Sequence, residues 1–218
     1  MTESASDVPL SGQIPYAVGQ ASVVRIPIPG TDRLCIEFRP RGRIPPKGTS
    51  STLFLQDPTG KRHLRLDVGW NTKTGSYDYH WNQAGVHETF KIENHTAAGR
   101  FGPSLYRGAK WFSYLGRRLV VVGAGLDAIS IVQASNRMKR ATEVVAGWAG
   151  AWVGCKVAGA GGAAAGTAVA PGPGTAVGGV VGCIVGGIVG YEAGSAVARV
   201  VYDWPAGTTF THLLATGP

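Results

Sequence analysis

The sequence predicts an α+β protein: a small antiparallel β-meander, then helices, then a glycine-zipper helical hairpin. Three observations predict it. Residues 52–92 alternate apolar and polar side chains between tight-turn sequences, the period of half-buried strands. From Ser104 the period becomes that of a helix. In residues 141–204, glycine recurs every four residues on both sides of the turn Pro171-Gly172-Pro173-Gly174.

The elements follow in order. Residues 1–20, rich in Ser, Thr and acids, read as a flexible lead-in. Residues 21–98 form the β region. The run 21–28 contains Pro27, which confines it to a sheet edge, whereas Leu34, Ile36 and Phe38 alternate with Cys35, Glu37 and Arg39 as in a strand. Residues 41–51 read as a basic linker. A strand at 52–56 is turned by Asp57-Pro58-Thr59-Gly60 into 62–68, where His63, Arg65 and Asp67 alternate with Leu64, Leu66 and Val68. A second turn ending at Gly75 leads into Tyr77-Asp78-Tyr79-His80-Trp81, and residues 87–92 are expected to pair back. Residues 52–92 thus read as a meander of three or four short antiparallel strands. Residues 99–140 are a helical segment with Ser104 as N-cap and a basic break at 136–140. Residues 141–204 are the hairpin, and 205–218 a tail.

The hairpin carries the sharpest pattern. Gly174, Gly178, Gly182, Gly186, Gly190 and Gly194 keep an unbroken spacing of four; Gly150, Gly154, Gly162 and Gly166 keep the same spacing before the turn, with Ala158 in the gap. Residues four apart share one helix face. Small residues there let two backbones approach, as in membrane helix pairs, so these ten glycines are the expected membrane-packing face. No charge occurs between Lys156 and Glu192. Glycine costs roughly 1 kcal/mol per position relative to Ala in a water-exposed helix. So many glycines require close helix packing, or a solvent that offers the backbone no competing partner. Weak overall hydrophobicity suits a segment that is soluble first and inserts later. The competing expectation is a water-soluble core hairpin. Trp148, Trp152, Tyr191, Tyr202 and Trp204 fall near the outer ends of the arms, where a bilayer interface would place them.

The 218 residues carry a formal charge of +8, which favours an anionic partner, nucleic acid or lipid. Three cysteines without CxxC spacing exclude a zinc ribbon and argue against a disulfide scaffold. Cys155 and Cys183 lie on opposite arms and are expected as buried free thiols. No secretory signal is visible in residues 1–30, so export by a route that needs none is expected.

Two further motifs bear on chemistry. His63, Asp67, Asp78 and His80 share one face of paired strands, enough for general acid–base work such as phosphodiester cleavage with Arg65 on the phosphate. The same residues also suit the wet face of an antiparallel sheet. No spacing marks a metal site, and no cofactor is expected. Gly123-Ala124-Gly125-Leu126-Asp127-Ala128 matches a dinucleotide fingerprint, but the following chain lacks the alternating strands that fingerprint needs.

The blocks Gln56-Asp57-Pro58-Thr59-Gly60-Lys61-Arg62-His63, Tyr77-Asp78-Tyr79-His80-Trp81-Asn82-Gln83 and Ala141-Thr142-Glu143-Val144-Val145-Ala146-Gly147-Trp148, followed by the zipper, resemble C-terminal toxin domains of bacterial polymorphic toxins, including Rhs-type and type VI secretion effectors. The resemblance covers roughly residues 50–205. It implies a secreted antibacterial effector with a cognate immunity protein and a delivery protein or chaperone. Met1 and the short lead-in favour a separate cargo over a domain fused to a delivery protein. The leading expectation is a pore-forming or membrane-disrupting toxin, its basic N-terminal half held on anionic lipid of the target-cell membrane. The alternative is an enzyme-type toxin, a nuclease or similar hydrolase with nucleic acid as partner, using His63, Asp67, Asp78 and His80.

Overall fold

The computed structural model describes residues 11–39 and 48–204. Six strands, β1 (Ile26–Pro27), β2 (Cys35–Phe38), β3 (Thr49–Gln56), β4 (Arg62–Asn71), β5 (Ser76–Gln83) and β6 (Thr96–Ala97), form one antiparallel sheet in chain order. Helix α1 (Gln13–Gln20) precedes the sheet and α2 (His87–Phe90) lies between β5 and β6. Three long helices follow: α3 (Gly102–Gln133), α4 (Arg137–Val169) and α5 (Pro173–Asp203). The architecture is α+β, an N-terminal meander of six strands followed by helices.

Alternation sets the sheet's two faces. Leu64 and Leu66 of β4 stand across from Leu55 and Leu53 on β3 and from Gln83 and Trp81 on β5. With Ile26, Ile36 and Phe38 they form a buried layer packed on α3 and on the turn half of the α4/α5 hairpin, through Tyr106, Ala109, Cys155, Ala163, Ala176 and Cys183. The opposite face carries Arg65, Asp67, Asp78, His80 and Asn82 in register: Asp67 pairs with His80 and Arg65 with Asn82. Gly60 and Gly75 take positive φ at the two hairpin turns, the conformation that makes glycine the default there.

The structure departs from the sequence expectations in several places. Part of the lead-in is α1, whose Pro15 sits in the first turn, where a missing N–H costs nothing. Residues 1–10 and 205–218, and most of the expected basic linker, lie outside the described residues; the linker's last three residues already belong to β3. Residues 87–92 do not pair back as a strand. Val86 and Phe90, both buried, are four apart, so a helical turn buries both and leaves Glu88 exposed, whereas strand spacing would bury Glu88 beside them. The pairing strand is β6. Helix α3 begins two residues before Ser104, with Pro103 in its first turn. The break after α3 is only 134–136. Asn136 caps α4 by accepting from the Lys139 N–H, so Arg137, Lys139 and Arg140 form its first turn. Cys155 and Cys183 are not free thiols: they form a disulfide across the hairpin.

Candidate functional site

The zipper is built from backbone contact. A Cβ placed on any of Gly150, Gly154, Gly162, Gly166, Gly174, Gly178, Gly182, Gly186, Gly190 or Gly194 would lie 2.5–3.1 Å from a carbonyl carbon of the opposite arm. Carbon atoms in good contact sit about 3.5–4.0 Å apart, so only glycine fits at this separation. The pairs 150/190, 154/186, 162/178 and 166/174 are symmetric about residue 170. At the turn, Gly172 takes φ of 82° and Thr175 Oγ1 accepts from its N–H while bonding to Thr167 Oγ1. A second set of small residues faces the sheet. Cys155, Gly159 and Ala163 on α4 and Gly179 and Cys183 on α5 are buried there, and a Cβ on Gly159 or Gly179 would meet Ile26 or Ile36.

The third face of each arm is apolar and open. On α5, Val177, Val181, Val185, Val189, Val197 and Val201 are all more than half exposed, again on a four-residue spacing. On α4 the matching positions include Val145, Val153, Val157 and Val169. The usual order of a water-soluble helix, large apolar residues inward and polar residues outward, is largely reversed: apart from Glu143, Val144, Thr175 and Tyr191, the buried positions hold glycine, alanine, serine or cysteine, and most valines stand outside. Among the described residues α5 is the one helix long and apolar enough to cross a membrane, with mean hydropathy 1.6 and only 39% of that stretch buried.

The far half of the bundle is held by Asp127. Fully buried in α3, it accepts from the Gly12 N–H at 2.8 Å, Trp148 Nε1 at 2.7 Å and the Tyr191 hydroxyl at 2.8 Å, so one carboxylate ties the start of α1, α4 and α5 to α3. Helix α1 docks on α3 through glycines: a Cβ on Gly12 would lie 2.6 Å from the Gly123 carbonyl carbon, and one on Gly19 2.5 Å from the Val120 nitrogen. The motif at 123–128 is therefore helix interior with no strand before it, and its first glycine and its aspartate serve packing. The sequence did hold a signal for this: Gly12/Gly19 and Gly116/Gly123 share one seven-residue spacing. Near the outer end of the hairpin, Glu143 is paired with Arg140 and Arg199, and Lys139 with Asp203.

Of the candidate catalytic residues, Asp67, Asp78 and His80 are neighbours and His63 stands apart. Asp78 accepts from Asn71 and bonds to His80 Nδ1 at 2.7 Å. Asp67 accepts from Ser51, Arg65 and Asn82. Both Asp67 and His80 are completely buried, so their outer-face location does not make them accessible. Among the described residues His80 Nε2 and His95 Nδ1 have no hydrogen-bond partner, and the two rings stand 5.5 Å apart. His63 lies four residues, ~13 Å, further along β4. It bonds to the Asp57 carboxylate at 3.0 Å and to the Ala84 carbonyl. The Thr59 hydroxyl, then His63 and the Lys61 and Thr59 N–H groups, hold the Asp57 carboxyl well below the usual carboxylate range. This is a turn cap. Burial raises the Cys35 thiol pKa, against the opposing pull of Arg25 and Lys156, which leaves it a poor nucleophile. Among the described residues no group of three or more His, Cys, Asp or Glu is placed to hold a metal. A cleft of about 860 Å³ between the β5–β6 end of the sheet and the hairpin turn is lined by Lys73, Lys91, His95, Pro171 and Pro173; its two lysines are paired with Glu93 and Glu88.

Comparison with family models, with curated proteins and with solved structures gives no match for this chain.

Proposed function

We propose that the protein is a membrane-disrupting effector whose α4/α5 hairpin enters a target bilayer. The observation that carries this reading is the reversed polarity of the hairpin: small residues packed inside, valines exposed outside. Lipid offers no hydrophobic drive for helices to associate, so helix pairs in it depend on close packing of small residues. A glycine zipper keeps that packing in either solvent. Helices of 33 and 31 residues are ~50 and ~46 Å long, more than the ~30 Å hydrocarbon thickness. The sheet packs on the turn half, with Ile26 and Ile36 seated against Gly159 and Gly179. Entry of the turn requires those contacts to be given up, which makes insertion conditional. Delivery into a bacterial competitor, and an immunity protein that protects the producer, belong to this proposal on the strength of the toxin-domain resemblance.

Purified protein is expected to release dye from vesicles containing phosphatidylglycerol. Replacing Gly178, Gly182 and Gly186 by Leu should abolish release. Replacing Val181, Val185 and Val189 by Ser leaves every buried contact in place and should also abolish it. Release that survives the serine substitutions, or no release by the wild type, would sink the proposal.

A further inference from the structure

We propose that the outer face of α3 is the surface that docks on anionic lipid headgroups before the hairpin enters. The proposal rests on the membrane reading above. It assigns headgroup recognition to a helix outside the hairpin, and not to the basic N-terminal half.

Helix α3 is built the same way round as the hairpin. Its buried positions include Ala109, Ser113, Gly116, Gly123 and Ser130, all small. Its outward face carries Trp111, Tyr114, Leu115, Val122 and Ile129, each between 46% and 68% exposed. At 100° per residue, positions 107, 111, 114, 118, 122, 125, 129 and 132 fall on one stripe. The large apolar side chains are therefore gathered on the side away from the sheet and α1. The first half of the stripe adds cations: Arg107 and Arg118 on it, Lys110 and Arg117 at its margin. The guanidinium of Arg118 lies 4.2 Å from the centre of the Tyr114 ring and bonds to its hydroxyl. Trp111 meets Tyr114 edge to face at 6.2 Å. Cations beside Trp and Tyr on a helix that also exposes aliphatic side chains have the composition of an interfacial helix, arginine at the phosphates and aromatics at headgroup depth.

Charge pairing decides between α3 and the sheet. The described part of the β region, residues 21–39 and 48–98, holds eight Lys and Arg against seven Asp and Glu. Four of its eight cations are in ion pairs: Arg25 with Glu37, Arg65 with Asp67, Lys73 with Glu93, Lys91 with Glu88. Helix α3 has four cations and a single acid, Asp127, which is buried on the opposite face. Among the described residues none of those four cations is in an ion pair with a carboxylate. Unneutralised positive charge on an apolar, aromatic face complements an anionic bilayer. A zwitterionic surface or an uncharged protein groove would leave it unused.

The test is co-sedimentation of the full chain with phosphatidylcholine vesicles with and without phosphatidylglycerol, run beside dye release. A basic residue near an anionic surface is worth about fivefold in binding. Arg117→Gln/Arg118→Gln should therefore bind the anionic vesicles roughly 25-fold more weakly. Lys61→Gln/Lys91→Gln removes the same net charge from the sheet and should change binding less than about twofold, its sites lying off the docking face. Both pairs are exposed, and unchanged unfolding midpoints would show that neither variant loses its fold. Equal losses in the two variants, or no loss in the α3 variant, overturn the proposal while the hairpin reading stands. A wild type that neither binds nor permeabilises any vesicle overturns both.

Discussion

Two neighbouring glycines on α4 separate helix packing from helix propensity. Gly161 faces open space, and a Cβ there would meet nothing within 4 Å. Gly162 faces the other arm, and a Cβ there would lie 2.9 Å from the Gly178 carbonyl carbon and 3.3 Å from the Gly182 Cα. Both are helix-interior positions, so Gly→Ala gains about 1 kcal/mol of helix propensity at each. At Gly161 that gain is the whole effect, and Gly161→Ala should stabilise by about 1 kcal/mol. At Gly162 the arms must separate by several tenths of an ångström or more against rigid backbone, a strain of about 1–3 kcal/mol. The difference between the two variants removes propensity altogether. It should be about 1–3 kcal/mol, or ~2–12 °C in unfolding midpoint for a chain of this size. Urea titration followed by helical circular dichroism measures it. Two variants that shift stability by the same amount and in the same direction would refute the close approach of the arms and, with it, the reason for the glycine period.

Other outcomes follow from the same contacts. Thiol titration of the unfolded, unreduced chain should find one free cysteine, Cys35, and three after reduction; the Cys155–Cys183 bridge spans 28 residues, so reducing it should cost ~3.5 kcal/mol of stability by loop-closure entropy. Asp127→Ala should cost about 3 kcal/mol or more in urea titration, because the Trp148 and Tyr191 donors lose a buried charged acceptor. The Asp57 carboxyl is held below its ordinary range, so its contribution is fully present above pH ~4 and fades as pH falls through the lowered folded value. The stability gap between wild type and Asp57→Asn should therefore narrow on acidification below pH ~4, and a gap that widens would contradict the turn cap. His80→Ala, which strips Asp78 of its buried partner, should lower the unfolding midpoint and leave dye release per folded molecule unchanged; loss of release at full stability would move the active element to the sheet.

The sequence by itself determined the class of fold and the face on which the hairpin closes. Both are local periodicities: Leu64, Leu66 and Val68 alternate because a strand has two sides, and glycine every four residues from Gly174 to Gly194 marks one side of a helix. Only tertiary contact decided the rest. Gln13–Gln20, with Pro15 and Gly19, has little helical propensity of its own; it folds because Gly12 and Gly19 admit the backbone of α3 at Gly123 and Gly116. The antiparallel register of the two arms brings Cys155 to Cys183 and turns two apparent thiols into a bridge. Asp67 and His80, assigned by alternation to an outer face, are buried there, since alternation reports which side a residue takes and not what covers that side. The valine stripe shows the converse limit. Val177 to Val201 was legible as a spacing, but composition reads valine as core. Only the packing of glycines inward shows that this valine stripe faces out.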